Sequence, residues 1–182
     1  IPSMGITIRQ ILIRLTIRLR MIYLEYEKLS FNIFHFTEKV GRTESFKLMA
    51  WHMIASNNLL CLIDTDKFSS FINDIYRGYR RDVAYHNDLH GADVAQHMDI
   101  ILNSGLKQCA NLNEYDNLSI LVAALCHDFK HDGFNNGYHI NASTSRAIAF
   151  NDQSVQENYH ISETFKVLFM QENNFISHFS IE

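Results

Sequence analysis

Residues 121–128 read Leu-Val-Ala-Ala-Leu-Cys-His-Asp, an apolar run that ends in an imidazole and a carboxylate. An apolar run of this kind is buried, so we expect it to carry His127 and Asp128 into an interior cleft. Upstream, His86 and His90 lie four positions apart in the stretch Tyr-His-Asn-Asp-Leu-His, and on a helix they would share one face. Imidazole nitrogens with one carboxylate oxygen suit zinc, and the carboxylate also suits magnesium or manganese. The two stretches therefore predict most of a metal site.

The composition is that of one globular domain without a strong net charge. The chain has 182 residues, of which 47% are hydrophobic and 12% aromatic, enough for a core and too many for a disordered chain. Its 16 basic and 20 acidic residues leave a net charge of −4. Nucleic-acid-binding proteins usually carry a basic surface, so this charge argues against a nucleic acid partner.

Residues 1–30 are predicted to be an N-terminal extension of uncertain structure. Apolar and polar residues alternate from Ile13 to Arg20, a pattern typical of a strand, yet nothing nearby offers a partner strand. The stretch 6–24 is apolar but contains four arginines, which would be costly in the centre of a bilayer. We therefore expect neither a membrane span nor a secretion signal.

The cysteines bear on the compartment. Cys61, Cys109 and Cys126 are odd in number and lack close paired spacing, which indicates reduced thiols rather than a disulfide framework. We expect a cytoplasmic, intracellular protein with all three cysteines in its core.

Helix breakers are rare, since the sequence contains one proline and seven glycines. Their scarcity predicts an all-α fold. Caps and apolar spacing predict a helix capped by Thr43 and Ser45 and reaching Met53, another from 64–66 to Ile75, and further helices at about 87–102, 114–126, 141–150 and 153–171. Gly105 is predicted to end the helix at 87–102, whose apolar side would carry Val94, Met98 and Ile101. Residues 133–137, Gly-Phe-Asn-Asn-Gly, are predicted to form a loop.

Three blocks, residues 85–94, 127–136 and 150–160, resemble the class I 3′,5′-cyclic nucleotide phosphodiesterases in order and approximate spacing. The resemblance extends from about Phe31 to the C-terminus. It implies an all-α, multi-helix bundle of the HD/PDEase type that hydrolyses cAMP, cGMP or both to the 5′-monophosphate. The family's catalytic domain is longer, so residues 31–182 would be its N-terminal portion, a truncated bundle.

The resemblance also implies roles for individual residues. His86 matches the general acid that protonates the departing O3′ of the ribose. His90, His127 and Asp128 match ligands of a first, zinc-like ion, and Asp128 matches the bridge to a second ion, usually magnesium (or manganese). General chemistry agrees, because an anionic phosphodiester repels hydroxide and its basic leaving group needs a proton.

Four further residues receive supporting roles. The resemblance implies that His131 lies near the second ion, that Glu157 supports it, and that Tyr85 lines the substrate pocket. Asp93 and Glu157 are candidates to orient a metal-binding histidine or the acid histidine, by accepting a hydrogen bond from the second nitrogen of its ring.

The sequence departs from the resembled family at several positions. Asp132 stands where the family commonly has proline or threonine, and it adds a carboxylate that is expected to alter metal affinity. Tyr159 replaces the first of two adjacent histidines. Gly91 replaces a usual alanine, which should weaken its helix by roughly 0.5–1 kcal/mol. The family's fourth metal ligand and its purine-binding residues have no counterpart, so we expect the chain alone to be poorly active.

Two alternatives stay open at this stage. The chain could be another HD-type metal phosphohydrolase acting on nucleotides, although such enzymes lack the third block. It could also be an inactive regulatory or binding module that keeps the metal scaffold. The favoured hypothesis is a phosphodiesterase with a cyclic nucleotide as its partner, and the sequence leaves regulatory partners unassigned.

Overall fold

The computed structural model describes residues 26–179, which form α-helices and contain no β-strand. The predicted strand at residues 13–20 lies outside this range. Eight α-helices of five or more residues are present among the described residues: α1 (Ile33–Val40), α2 (Arg42–Ser56), α3 (Thr65–Gly78), α4 (Asp88–Ile101), α5 (Glu114–Cys126), α6 (Asn136–Asn141), α7 (Ser145–Ala149) and α8 (Val155–Leu168). The prediction of an all-α fold is confirmed for this part of the chain.

The helix α4 lies at the centre of the packing. It contacts α5 most extensively and α2 next, while α8 contacts α3, α5, α6 and α7. The interior is dominated by large apolar side chains that are fully buried, among them Phe46, Met49, Met53, Phe68, Phe71, Ile72, Ile75 and Phe129. Two helices that carry predicted site residues, α4 and α5, are therefore held together by a continuous core.

Local capping sets where most helices begin. The side chain of Asp64 accepts hydrogen bonds from the backbone N–H groups at the start of α3, and Asn87 does the same for α4. Asn113 and Asp116 form a capping box at the start of α5. The predicted cap of α2 was wrong, because its N-cap is Gly41, to whose carbonyl Ser45 donates a hydrogen bond of 2.9 Å.

The predicted core face of α4 was also wrong in part. Ile101 is exposed, and Val94 and Met98 are only partly buried. The buried face instead includes Asp99 and Gln96, which have partners far away in the sequence: Tyr26 donates a hydrogen bond to Asp99, and Gln96 donates one to the carbonyl of Tyr26. Buried polar groups are tolerated when they are hydrogen-bonded, so these partners rotate the core face of the helix.

The predicted end of the helix at 87–102 is confirmed. The helix α4 ends at Ile101, and Gly105, whose φ of 120° is not helical, separates it from the short turn Lys107–Cys109. In the predicted 133–137 loop only Gly133, at φ 92°, and its neighbours are irregular, because Asn135 caps α6. The predicted 141–150 helix is only partly present, as the last residue of α6 and the whole of α7.

Several burial predictions need correction. Cys61 and Cys109 are exposed, and only Cys126 is buried. Cys61 lies in a 3₁₀-helical turn (Leu59–Leu62), and Cys109 ends the one-turn helix Lys107–Cys109. Among residues 26–179, no helix is long and apolar enough to cross a membrane.

Candidate metal centre

The first turn of α4 and the end of α5 approach each other closely. Tyr79 is buried between them, and its hydroxyl donates a hydrogen bond of 2.9 Å to the carbonyl oxygen of Leu125. A Cβ atom at Gly91 would lie 2.8 Å from that hydroxyl and 3.3 Å from the Leu125 oxygen. Glycine at position 91 thus permits the close approach that brings His90 beside the end of α5.

His90, His127 and Asp128 form a small triangle of possible ligand atoms. The Nε2 atoms of the two histidines are 3.2 Å apart, and they lie 3.3 Å (His90) and 3.2 Å (His127) from Oδ2 of Asp128. Zinc bonds of about 2.0–2.1 Å in a tetrahedron place neighbouring ligand atoms roughly 3.3–3.4 Å apart. The three distances therefore fit three corners around one ion.

The orientation of His127 also suits a ligand. Its Nδ1 lies 2.8 Å from the carbonyl oxygen of Ala124 and donates a hydrogen bond to it. This contact places the proton on Nδ1 and leaves the lone pair of Nε2 for a cation.

His86 contacts the same carboxylate in a different way. Its Nδ1 is 2.6 Å from Oδ2 of Asp128. That separation is too short for two ligands of one tetrahedral ion and is typical of a charge-assisted hydrogen bond. His86 and His90 can therefore not be read as an equivalent ligand pair, although both lie near Asp128. The ring of His86 stacks on His131, with centroids 4.0 Å apart.

A second group of possible ligands lies on the other side of the carboxylate. Asp128, His131 and His160 are all buried, and one ligand atom from each lies within 4.8 Å of the others. His160 donates from Nδ1 to the carbonyl of Phe129 at 2.7 Å, so its Nε2, 3.9 Å from Oδ1 of Asp128, keeps a free lone pair. His131 differs, because its Nδ1 accepts a hydrogen bond of 2.9 Å from Gly133. In the neutral ring its Nε2 then carries the proton and acts as a donor.

The charge states of Asp128 and His131 suit a cation. Burial alone would lower the pKa of His127, but its hydrogen bonds to Asp128 and to the carbonyl of Ala124 raise it, so a cation at its Nε2 competes with a proton. Burial alone would raise the pKa of Asp128, but hydrogen bonds from His127, His90 and His86 hold it well below its usual range. The pKa of His131 falls from 6.5 to about 4, because burial disfavours the charged ring and His86 adds repulsion. At neutral pH the site therefore offers an ionised carboxylate and a neutral His131.

The other predicted site residues lie nearby with different contacts. Tyr85 is exposed and its ring lies 4.4 Å from that of His90, centroid to centroid. Asp93 is 3.9 Å from His97 on the outer side of α4. Glu157 accepts a hydrogen bond of 3.0 Å from Asn136. The described contacts of the two carboxylates thus go to groups other than the ligand or acid imidazoles.

Residues 85–182 match the family model for 3′5′-cyclic nucleotide phosphodiesterase. The chain belongs to that family. The match contains all three blocks of the sequence and the whole cluster around Asp128. It leaves the predicted domain boundary near residue 31 as a prediction.

Curated relatives of the phosphodiesterase family agree. The human dual specificity calcium/calmodulin-dependent 3′,5′-cyclic nucleotide phosphodiesterase 1B is 37% identical over 135 residues, which cover 73% of this chain and 24% of that protein. The 3′,5′-cyclic-nucleotide phosphodiesterase regA of Dictyostelium discoideum is 37% identical over 114 residues, covering 63% of this chain and 14% of the relative. This chain therefore spans at most about a quarter of the length of these relatives.

Sequence reasoning gave no role to His160. The available signal was its spacing from Glu157, three residues earlier, which places both side chains on one face of α8. Both residues, with His127, line a groove of about 1110 Å³ between α5 and α8. Much of the remaining lining is apolar and includes Leu118, Val122 and Phe165.

Two residues at which the sequence departs from the resembled family, Asp132 and Tyr159, lie close together in the structure. The carboxylate of Asp132 does not face the candidate ligands, because Arg146 and His139 contact it at 3.2 and 3.3 Å. The guanidinium of Arg146 also lies over the ring of Tyr159, 3.8 Å from its centroid. Two departures, Asp132 and Tyr159, thus meet at one arginine.

Proposed function

We propose that the protein hydrolyses the 3′,5′-cyclic phosphodiester of cAMP, cGMP or both to the 5′-nucleoside monophosphate. The observation that carries the proposal is the triangle of His90, His127 and Asp128, whose spacing fits one tetrahedral ion. Membership in the phosphodiesterase family supports the cyclic nucleotide as the substrate.

We propose zinc for the triangle and magnesium or manganese for the second group. Two imidazoles and one carboxylate are a typical zinc donor set. Asp128 would serve both ions, with Oδ2 toward the triangle and Oδ1 toward His160. When bound, such ions supply activation of a water molecule and neutralise the charge of the phosphodiester.

His86 is the proposed general acid. The carboxylate of Asp128 holds its Nδ1, which fixes the orientation of the ring. Its Nε2 is then the nitrogen that would deliver a proton to the departing ribose oxygen. The side chain is 39% exposed, so a substrate can reach it.

The supporting residues act on geometry and charge. His131 stacks on His86 and, as a neutral ring with a proton on Nε2, can donate a hydrogen bond toward the second group. The ring of Tyr85 lies tilted against that of His90 and is exposed, so it would line the substrate pocket. Glu157 lies with His127 and His160 on the groove that borders the site.

The proposal is tested with the full-length protein, supplied with zinc and magnesium, by measuring metal content and turnover of cAMP and cGMP. His86→Ala should lower kcat by roughly 10²–10⁴-fold with unchanged metal content, because general acid catalysis is typically worth that much. His127→Ala should instead lose zinc. His97→Ala is the matched control, since His97 lies on α4 and bonds to the backbone of Asp93.

Each other outcome has a defined reading. A wild-type protein that binds both metals but hydrolyses no cyclic nucleotide would be the inactive binding module. Cleavage of other nucleotide phosphoesters with no turnover of cAMP or cGMP would indicate another HD-type phosphohydrolase. Loss of metal in His86→Ala would make His86 a ligand and remove it as the acid.

We also propose a cytoplasmic location. The three cysteines of the described residues are free thiols, and two of them are exposed. Exposed unpaired thiols are typical of a reducing compartment.

A further inference from the structure

We propose that Arg146 is a positioning residue, which through Asp132 and Gln156 fixes the distance between His131 and His160. The inference rests on the proposed function only for the use of the second cation group. Its geometric core is a closed ring of three side chains, none of which contacts Asp128 directly.

The ring consists of one ion pair and two hydrogen bonds. The Nη1 atom of Arg146 lies 3.2 Å from Oδ2 of Asp132 and donates a hydrogen bond of 2.6 Å to Oε1 of Gln156. Nε2 of Gln156 closes the ring by donating to Oδ1 of Asp132 at 3.0 Å. Each donor atom of these three contacts therefore has an acceptor, and the positive guanidinium has a negative carboxylate.

The ring is held in place from several sides. Gln156 is 4% exposed, and its Nε2 also donates to the carbonyl of Phe134 at 2.7 Å. His139, on α6, contacts the carboxylate of Asp132, and the ring of Tyr159 covers the guanidinium of Arg146. Contacts from three helices and one loop thus leave Arg146, Asp132 and Gln156 little freedom to rearrange.

The ring connects the two elements that carry the second group. Asp132 directly follows His131 on the loop, and Gln156 precedes His160 by four positions on the same face of α8. The imidazole rings of His131 and His160 stack, with centroids 5.4 Å apart. A change in the contacts among Arg146, Asp132 and Gln156 would therefore alter the separation of these two imidazoles.

Arg146 also neutralises the charge of Asp132 beside the second group. Asp132 alone would add a negative charge one residue from His131. The guanidinium of Arg146 offsets that charge at 3.2 Å, so the second group attracts a cation through Asp128 alone. A neutral residue at position 146 would remove this offset, which by itself favours a cation, so a loss of Mn²⁺ affinity in such a variant would have to come from release of the loop.

The test uses the full-length protein with one equivalent of zinc bound, and it measures Mn²⁺ affinity by electron paramagnetic resonance together with zinc content. Arg146→Met should weaken Mn²⁺ binding by roughly 10–100-fold, the usual effect of losing a group that orients ligands. Zinc content should not change, because His90 and His127 belong to α4 and the end of α5. Arg146→Lys should restore most of the affinity, since both polar contacts of Arg146 come from the single atom Nη1.

Other results would overturn the inference. Mn²⁺ affinity in Arg146→Met within twofold of wild type would show that the ring does not position the second group. Joint loss of zinc and Mn²⁺ with a lower unfolding temperature would reduce Arg146 to a structural role. Absence of a second Mn²⁺ site in the wild type would also refute it.

Turnover is measured separately. If the wild type fails to hydrolyse cyclic nucleotides but Arg146→Met still loses Mn²⁺ selectively, the proposed function fails and the positioning role stands. If the wild type hydrolyses cyclic nucleotides but Arg146→Met does not lose Mn²⁺ selectively, the proposed function stands and the positioning role fails.

Discussion

Replacing Gly91 with alanine is expected to destabilise the protein, although alanine is the better helix former. Propensity alone predicts a gain of about 0.5–1 kcal/mol in the free energy of unfolding. The structure opposes this gain, because the added Cβ would lie 2.8 Å from the hydroxyl and 3.0 Å from the ring carbon of Tyr79. Tyr79 is 2% exposed and its hydroxyl is held by the carbonyl oxygen of Leu125 at 2.9 Å, so moving it away is costly.

The magnitude follows from two costs. Forcing an extra carbon into a packed interior costs typically about 1–3 kcal/mol. If Tyr79 gives way, its hydrogen bond to Leu125 is lengthened or lost, and an unpaired buried group adds about 1–3 kcal/mol. After the propensity gain is subtracted, the free energy of unfolding should fall by roughly 1–5 kcal/mol when both costs apply.

The assay is urea unfolding of Gly91→Ala beside a matched control. Gly137→Ala places the same change in α6, where the nearest atom would be 3.4 Å away, an ordinary contact. We expect the control to be neutral or stabilising. Zinc affinity should also fall in Gly91→Ala, because the variant pushes α4 away from the end of α5 beside His90.

A double-mutant cycle isolates the cause. Tyr79→Phe removes the oxygen nearest to the new methyl group, so Gly91→Ala should cost less in that background, with a coupling of about 1 kcal/mol or more. Equal costs in both backgrounds would show that Tyr79 is not the obstacle. A Gly91→Ala protein more stable than wild type would refute the packing argument.

Two further predictions concern accessibility. Burial raises the pKa of the Cys126 thiol to about 12, so we expect two fast thiols per chain, from Cys61 and Cys109, and one that reacts slowly at mildly alkaline pH. Three fast thiols would contradict this. Phe165 on α8 and Phe169 just after its end are exposed, so the purified chain should bind a dye that fluoresces on apolar surfaces, and serine at both positions should reduce the signal. An unchanged signal in the double variant would contradict it.

The best-predicted parts of the fold are those with local causes. The helix at 114–126 was predicted with its observed ends, because Asn113 and Asp116 cap it within four residues. The approach of His90, His127 and Asp128 was predicted from short blocks of sequence. The structure brings their ligand atoms to 3.2–3.3 Å of one another.

The parts that were missed depend on contacts between distant residues. The buried face of α4 depends on Tyr26, which lies 73 residues from its partner Asp99. Gly91 was judged by helix propensity, whereas its environment is set by Tyr79. The partners of the Asp132 carboxylate, Arg146 and Gln156, come from α7 and α8 and were not predicted. Propensity and spacing contain no information about such partners.

The candidate site is therefore supported in two different ways. The triangle of His90, His127 and Asp128 rests on α4 and α5, which share an apolar core, and apolar packing is insensitive to any single charge. The second group depends on a loop in which Lys130 and Gly133 have positive φ angles of 61° and 92°. Such a loop has no regular backbone hydrogen-bond ladder, so its position relies on side-chain contacts. Perturbing polar residues around the loop should thus affect the second cation before the first.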